Sequence, residues 1–263
     1  MPARHGRQPL KRWRYVGVYT PAAMLCVGDA RIGPVPQRWW AVATPDGELL
    51  ERTTFGSGGV RISGSSVSVH ARGVAIELEL DEGNGVEVVS PANGDTAAYI
   101  WTRKQACVPV RGQIELPGGR RLAIESDAGF VDDSAGYHAR HTEWRWSAGV
   151  GRATDGRAVG WNLVEGIHDD PFASERTVWV DGEPQSVGPV TFAEDLSEVA
   201  SRSPTASDVN LTFDEWAARE HSTNAVLLRS RYRQPFGTFS GELPGGISLA
   251  EGYGVMEHHD VLW

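Results

Sequence analysis

Dipeptides that form tight turns divide this chain into many short apolar or alternating segments, and this pattern limits the fold more than any other feature. Gly accounts for 31 and Pro for 15 of the 263 residues. The segments between them are rich in Val, Ile, Thr and aromatic residues, which favour strands. Hairpin turns are predicted where residues accept positive φ: Asp46-Gly47, Asn93-Gly94, Gly118-Gly119, Asp155-Gly156 and Asp181-Gly182. The sequence therefore predicts an almost entirely β protein.

Helix is predicted in two places only. Phe213–His221 has a short helical pattern, and Ala173–Arg176 is expected to form a single turn. The strands predicted before residue 128 are Tyr15–Tyr19, Ala23–Ile32, Arg38–Thr44, Leu49–Thr54, Val60–Ile62, Val67–His70, Val74–Leu80, Val86–Val89, Ala98–Cys107, Val110–Leu116 and Arg120–Asp127.

Antiparallel strands in this number must close into barrels or stack as sandwiches to cover their edges. Long alternating segments favour wide barrels with an internal pocket. No fixed-period repeat occurs, which argues against propellers and solenoids. We predict two closely packed β domains, residues 1–130 and 131–263, with a loop around Asp127–Gly136 between them.

Composition and charge exclude some partners. The formal charge of −9 and the isoelectric point near 5.4 argue against nucleic acid, because phosphate-backbone binding needs a broad basic face. No apolar run approaches the roughly 18 residues of a membrane span. The segment up to Gly17 is basic, but no apolar stretch typical of a secretory signal follows it. A cytoplasmic location is expected, and the sequence leaves the oligomeric state open.

Residues 132–166 combine aromatic and acid/base side chains in what is predicted to be one hairpin. Strand alternation places Thr142, Trp144 and Trp146 on one face. The opposite face then carries His141, Glu143 and Arg145. After the predicted turn, Trp161, Asn162 and Glu165 are expected to face the same space as the Trp pair. Such a surface is typical of an enclosed small-molecule site, although a plain aromatic core remains an alternative.

The C-terminal segment holds a second cluster, Glu257 to Asp260. Alternation places His259, rather than His258, on the same side of the strand as Glu257. A histidine and a carboxylate together predict a general acid/base pair that titrates near neutral pH. A solvated structural tail is the alternative.

Metal and nucleophilic chemistry have less support. His138 and His141 are three residues apart, which places them on opposite faces of a strand, so no metal site is predicted. Cys26 and Cys107 lie in apolar contexts without C-x-x-C spacing and are expected to be buried free thiols. No nucleophile or phosphate-binding signature occurs in a suitable context.

Several short motifs, spread over nearly the whole chain, form one specific pattern. They are Trp13-x-Tyr15-Val16-Gly17, Asp133-Ser134-x-Gly136-Tyr137, His141-Thr142-x-Trp144-x-Trp146, Gly160-x-Asn162-Leu163, Ser174-Glu175, Trp179-x-Asp181-Gly182, Gln234-Pro235-Phe236-Gly237-x-Phe239-x-Gly241 and Gly254-Val255-Met256-Glu257-x-His259. This pattern resembles a bacterial and fungal domain family of unknown function. The family is similar in architecture to carotenoid hydratase (hydroxyneurosporene synthase), tocopherol cyclase and decalin-forming Diels–Alderases.

The resemblance implies an all-β fold of two lipocalin-like (calycin) barrels or half-barrels with very little helix. It also implies chemistry without a redox cofactor, such as protonation of an alkene, water addition or ring closure in a dry pocket. Such reactions need an acid of raised pKa, a base and an apolar wall. Fold-level similarity alone does not assign a function.

Three functions follow as hypotheses. The first is a cofactor-independent cyclase, hydratase or isomerase that acts on a largely apolar small molecule. Its predicted catalytic residues are Glu257, His259, Glu165 and His141, and its predicted substrate-binding residues are Tyr137, Trp144, Trp146, Trp161, Asn162 and Glu175. The second is a lipocalin-like protein that only binds an apolar ligand. The third is a carbohydrate-active hydrolase that uses paired carboxylates from Asp132 or Asp133, Glu165 and Glu257.

Overall fold

The protein is built from two curled antiparallel sheets that pack against each other. The computed structural model describes residues 1–92, 95–170, 172–202, 209–224 and 229–263. Both sheets form half-barrels, so the predicted all-β fold is confirmed. Within the described residues the helical structure is limited to one 3-10 turn, Pro117–Gly119. None of the described helical residues forms a segment suited to crossing a membrane.

The first sheet contains strands from the N-terminal half of the chain. A short hairpin, β1 (Arg4–His5) and β2 (Gln8–Pro9), precedes it. The strands of the sheet are β3 (Lys11–Tyr19), β4 (Met24–Ile32), β5 (Val35–Ala43), β6 (Leu49–Thr54), β7 (Val60–Ser63), β8 (Ser66–Ala71), β9 (Val74–Leu80), β10 (Val86–Ala92), β11 (Asp95–Glu115) and β12 (Arg121–Gly136). Their order is β6-β5-β4-β3-β12-β11-β9-β8-β7, and β10 pairs separately with β11.

The second sheet contains the strands of the C-terminal half. They are β13 (His141–Ala153) and β14 (Ala158–Glu165), then, after a small hairpin of β15 (Asp169–Asp170) and β16 (Ala173–Ser174), β17 (Thr177–Val180), β18 (Glu183–Ser186), β19 (Val190–Phe192), β20 (Glu198–Ser201), β21 (Asn210–Asn224), β22 (Arg229–Leu243) and β23 (Ile247–Leu262). Their order is β18-β17-β14-β13-β23-β22-β21-β20-β19.

The two sheets share one topology. Each begins with a central strand, β3 or β13, and steps outward through neighbouring strands to one edge. The chain then resumes at the opposite edge and steps back until its last strand lies beside the first. Strand β12 is therefore equivalent to β23, and β11 is equivalent to β22.

Strand alternation gives each sheet a core on one face and a shared layer on the other. Val16 and Val18 of β3 face the core of the first sheet. Tyr15 and Tyr19 of the same strand face the second sheet, where they join a cluster that includes Trp146. The second sheet has its own core on its far side. We call the zone between the two sheets the intersheet layer.

Both helix predictions are wrong. Phe213–His221 lies inside β21, and Ala173–Arg176 contributes β16 instead of a turn. A register shift between Glu215 and Ala217 interrupts the alternation of β21, so its apolar residues imitate a helical period. Pairing with β22 along the whole strand outweighs the local helical preference.

Several predicted boundaries also change. Asp127–Gly136 is the second half of β12 and not a loop. The segments predicted as Ala98–Cys107 and Val110–Leu116 form one strand, β11, whose register shifts beside Cys107 at φ 54°. The chain passes from the first sheet to the second at residues 137–140, and the two-domain division remains a prediction.

The predicted turns at Gly47, Gly118-Gly119, Gly156 and Asp181-Gly182 all have residues with positive φ. They connect neighbouring strands of the sheets. The turn predicted at Asn93-Gly94 lies outside the described residues.

Candidate functional site

The central strand pair of the second sheet places the predicted residues on its two faces. Trp144 of β13 lies opposite His259 of β23, and Trp146 lies opposite Glu257. Residues opposed in this way share a face. The alternation predicted for the hairpin and for the C-terminal cluster is therefore confirmed. Trp146 belongs to the intersheet layer, so this face looks toward the first sheet.

Glu257 lies in the intersheet layer among three hydrogen-bond donors. Trp144 Nε1 donates to Glu257 Oε1 at 2.8 Å. Tyr232 Oη and Gln234 Nε2 each donate to Oε2 at 2.9 Å. The residue is only 8% exposed. Burial raises the pKa of the Glu257 carboxyl, and the bonds from Trp144 and Tyr232 oppose only part of this rise.

A second set of contacts fixes the donors around Glu257. The buried Arg219 of β21 donates through Nη1 to Gln234 Oε1 and to Tyr232 Oη, both at 3.3 Å. Because the Gln234 carbonyl accepts from Arg219, its amide nitrogen is turned toward Glu257. Arg219 Nε also pairs with Glu51 of the first sheet at 3.0 Å. The guanidinium therefore links both sheets to the carboxyl site.

His259 lies between aromatic rings on the same face as Glu257. Its ring centroid is 4.5 Å from that of Trp144 and 5.1 Å from that of Tyr232. Its Nε2 lies 2.8 Å from Ser230 Oγ, so its hydrogen-bond partner is Ser230 and not Glu257. Burial, with a smaller effect of His258, lowers the pKa of His259 to about 3. The imidazole is neutral near pH 7, and the predicted titration near neutral pH is wrong.

Lys104 forms a second charged group in the intersheet layer. Its Nζ lies 2.7 Å from Asp132 Oδ1 and 3.2 Å from Glu175 Oε1. Burial lowers the pKa of Lys104, but the two carboxylates outweigh burial, so its pKa is raised overall. Asn162 Nδ2 donates to the Glu175 carbonyl at 2.9 Å, and Trp146 Nε1 donates to Asn162 Oδ1 at 2.7 Å. Trp146 therefore lies between the Lys104 group and Glu257.

Several buried polar atoms of the same layer lack a partner. His138 is 1% exposed, and neither of its ring nitrogens makes a hydrogen bond of good geometry with any described residue. Burial lowers the pKa of His138 and of His168 well below the usual range, so both are neutral. Other buried atoms in the same condition among the described residues include His168 Nε2, Thr102 Oγ1, Ser134 Oγ and Glu175 Oε2. Buried polar groups normally have partners, so this layer offers polar groups to a ligand.

Four predicted site residues lie elsewhere. Trp161 faces the core of the second sheet, where its Nε1 donates to Ser147 Oγ at 3.0 Å. Glu165 pairs with Arg202 at 2.8 Å. Tyr137 packs in a small separate cluster and donates to the Pro2 carbonyl. Trp161 and Glu165 alternate with Asn162 along β14, so they cannot share its face.

His141, the fourth, is exposed on the far face of β13. Its Nε2 lies 2.8 Å from Asp260 Oδ1. Among the described residues, His141, Glu143 and Asp260 place their ligand atoms within 4.8 Å of one another, a grouping that could hold a metal ion. This grouping points away from the intersheet layer and has no part in the site around Glu257.

Neither of two open cavities in the described part of the chain is lined by Glu257 or Trp146. The larger, about 730 Å³, lies over the first sheet near Arg12 and Asp133. The smaller, about 490 Å³, lies near Val88 and Phe172. Neither of these two cavities is the enclosed pocket expected around Glu257, which stays a prediction.

Sequence reasoning missed several residues that contact the site. Arg219 and Tyr232 were not predicted, because a helix was predicted over Phe213–His221. Without β21 as a strand, its pairing with β22, which carries Tyr232, could not be predicted. Gln234 stands in one of the family motifs, and that motif was the available signal. Lys104 stands in the polar run Thr102-Arg103-Lys104-Gln105, which gives no local sign that its side chain is buried. Cys26 is a buried free thiol, as expected, whereas Cys107 is free but only half-buried.

Comparison with known proteins gives the family. Residues 49–263 match DUF2804, a domain of unknown function. The chain belongs to the DUF2804 family. The resemblance read from the motifs is thereby confirmed. No curated protein sequence matches this DUF2804 chain.

Solved structures share its fold. An AttH candidate from Nitrosomonas europaea has a TM-score of 0.57 at 12% identity and covers 97% of this chain and 94% of its own. CghA has a TM-score of 0.53 at 12% identity, over 96% and 88%. Kievitone hydratase from Nectria haematococca has a TM-score of 0.54 at 13% identity, over 94% and 88%. At these identities the likeness concerns the fold.

Proposed function

We propose that this protein is a cofactor-independent acid/base enzyme that acts on a largely apolar small molecule held between its two sheets. Glu257 is the proton donor in this proposal. The reaction class is hydration, cyclisation or isomerisation at an alkene. The observation that carries the proposal is a buried carboxyl of raised pKa, surrounded by uncharged donors and aromatic rings.

The environment of Glu257 suits proton transfer to carbon. Because burial raises its pKa, the carboxyl keeps its proton to higher pH than an ordinary glutamate. After the proton leaves, the donors Trp144, Tyr232 and Gln234 stabilise the carboxylate. The Trp144 ring also presents a face that attracts a cation. The site therefore stabilises both the carboxylate and the substrate cation that the proton transfer creates.

The proposed step balances without an added oxidant or reductant. The Glu257 proton forms a C–H bond with one alkene carbon, and the π pair leaves the neighbouring carbon cationic. Water, or a second alkene of the same molecule, then attacks that carbon. The attacking group loses a proton, which returns to Glu257 and restores the acid. His259 is neutral and acts as a positioning residue beside Trp144.

The intersheet layer supplies the substrate contacts in this proposal. Trp144 and Trp146 give apolar surface, and Asn162 and Glu175 give polar contacts. The partnerless atoms of His138 and His168 accept or donate to substrate hydroxyl groups. The two cavities described above do not reach Glu257, so the proposal includes a rearrangement of side chains of the layer when the substrate enters.

Two structural neighbours support the reaction class. One is named a hydratase, and CghA has been solved with the small molecule Sch210972.

We also propose the cytoplasm as the location, as the sequence analysis expects.

Solvent deuterium tests the proposal without knowledge of the natural substrate. The protein is incubated in D2O with a panel of polyenes and prenylated phenols, and mass spectrometry follows deuterium that enters carbon positions. We expect catalysed incorporation into at least one panel class. Glu257→Gln should lower the rate by about 10²- to 10⁴-fold, as loss of a general acid does.

Glu143→Gln is the matched control, because Glu143 lies on the exposed face of the neighbouring strand. It should incorporate deuterium at the wild-type rate. Equal rates for Glu257→Gln and wild type would remove Glu257 from the role. Tight binding of a panel compound, with quenching of Trp fluorescence but no incorporation, would instead favour a ligand-binding protein.

A further inference from the structure

The larger cavity lies on the face of the first sheet that is turned away from the intersheet layer, and a row of alternating charges crosses that face. Five neighbouring strands contribute one residue each, in the order Arg103, Asp133, Arg14, Asp29 and Arg38. Opposite charges that face each other across strands stabilise a sheet.

Each arginine of this row has an acidic partner. Arg14 Nη1 lies 2.8 Å from Asp133 Oδ2, and Arg103 Nη1 lies 3.2 Å from the same atom. Glu82 also pairs with both of these arginines. Arg38 Nε lies 2.9 Å from Asp29 Oδ2. The three arginines of the row are balanced by its two aspartates together with Glu82.

The next row of opposed residues on the same face, two positions along β3 and β4, is not balanced in charge. Arg12 of β3 and Arg31 of β4 lie directly opposite each other in the register, and both line the cavity. Neither forms a salt bridge with any carboxylate of the described chain. Like charges in directly opposed positions destabilise a sheet, so this pair is not explained by the fold.

The charge of this region contrasts with the charge of the whole chain. The residues that line the cavity include four arginines (Arg12, Arg14, Arg31 and Arg38) and three carboxylates (Asp29, Glu82 and Asp133), a formal charge of +1, while the complete chain carries −9. A local positive field on an acidic protein attracts small anions to that place. Ile62, Pro36 and Trp101 add apolar surface to the same cavity of about 730 Å³.

We propose that this cavity is a second ligand site, which binds a small amphipathic anion. One carboxylate or phosphate group lies between Arg12 and Arg31, where the planar guanidinium groups match its oxygens. The apolar part lies against Trp101 and Ile62. The site is on the opposite face of the first sheet from Glu257, so it does not depend on the proposed reaction.

The test measures binding of defined probes by calorimetry. Dodecanoate and dodecyl phosphate are the charged probes, dodecanol is the neutral probe, and inorganic phosphate lacks the apolar part. We expect at least one charged amphiphile to bind with one-to-one stoichiometry and at least tenfold more tightly than dodecanol and inorganic phosphate. Preference between the two charged probes identifies the anionic group.

The double variant Arg12→Gln/Arg31→Gln should bind the charged probe at least tenfold more weakly. Arg152→Gln is the control, because Arg152 is an exposed arginine of the second sheet, and it should bind as wild type does. Without ligand, the double variant should have a Tm equal to or above wild type, since it removes the repulsion. Unchanged affinity in the double variant, tighter binding of dodecanol, absence of binding by both charged probes or a lowered Tm would each overturn the proposal.

Discussion

The two sheets place a carboxyl at the same topological position but surround it differently. Asp132 of β12 lies opposite Tyr15 of β3, and Glu257 of the equivalent strand β23 lies opposite Trp146 of β13. In the first sheet the neighbouring strand gives Asp132 an ammonium group, Lys104 at 2.7 Å. In the second sheet the neighbouring strand gives Glu257 the uncharged donors Tyr232 and Gln234.

This difference separates a structural carboxyl from one suited to chemistry. Burial raises the pKa of both groups, but at Asp132 a full positive charge opposes it at direct contact. The Lys104 cation favours the charged form of the Asp132 carboxyl. A carboxyl among neutral donors can instead give up a proton and take it back. The same topology therefore supports a structural carboxyl in one sheet and a carboxyl suited to chemistry in the other. The side chains on the adjacent strand determine which role the carboxyl has.

The largest expected effect concerns Glu257. Glu257→Gln keeps the shape of the side chain and removes its proton transfer, so activity should fall by about 10²- to 10⁴-fold. Its Tm should stay near wild type at pH 7, because a neutral amide suits a buried site. Asp132→Asn should instead lower Tm, since Lys104 loses its direct partner. If Asp132→Asn lost activity at unchanged Tm and Glu257→Gln kept its activity, the two roles would be reversed.

The next effect concerns the Lys104 ion pair. Lys104→Met leaves Asp132 and Glu175 buried without their cation, and breaking a buried pair in this way costs about 3–5 kcal/mol. Gln234→Met is the counterpart in the second sheet and should cost roughly 1–3 kcal/mol, the range for an unmade buried hydrogen bond. Urea unfolding measures both free energies. Equal losses would erase the distinction between the two sheets.

A smaller effect is expected for the two aromatic residues that face each other between the sheets. Trp146→Phe leaves Asn162 Oδ1 without its donor, which should lower the free energy of unfolding by roughly 1–3 kcal/mol. Tyr15→Phe removes only the 3.0 Å contact with Tyr19 Oη and should cost roughly 0.5–1.5 kcal/mol. Chemical denaturation ranks the two, and a larger loss for Tyr15→Phe would contradict this order.

The last effect is a pH dependence, which is small at pH 7 and grows as the pH falls. Burial lowers the pKa of His138, His168 and His259 in the folded state, that of His259 to about 3. Their stabilising effect is complete above the unfolded pKa of about 6.5 and is lost as the pH falls toward the folded value, at about 1.4 kcal/mol per pH unit for each proton. His138→Phe should reduce the change in unfolding free energy per pH unit by the contribution of one proton, as measured by urea unfolding at several pH values below 6.5.

Local patterns in the sequence were sufficient for much of the fold. The turn at Asp155-Gly156 and the alternation from His141 to Trp146 depend only on φ preference and on the two-residue period of a strand, so both were predictable. The β21 segment was not, because an irregular register gave it a helical period. The expectation that Trp161 and Glu165 share a face with Asn162 was wrong, because residues an odd number of positions apart on β14 point to opposite faces.

The sequence by itself determined that the chain is all-β and that residues two apart on a regular strand, such as Glu257 and His259, share a face, since these properties depend on neighbours within a few residues. Only the tertiary structure decided which faces oppose one another. Lys104 reaches Glu175, and Arg219 reaches Glu51, across 71 and 168 positions of sequence. Contacts of that range depend on how two curled sheets pack, and no local period carries that information.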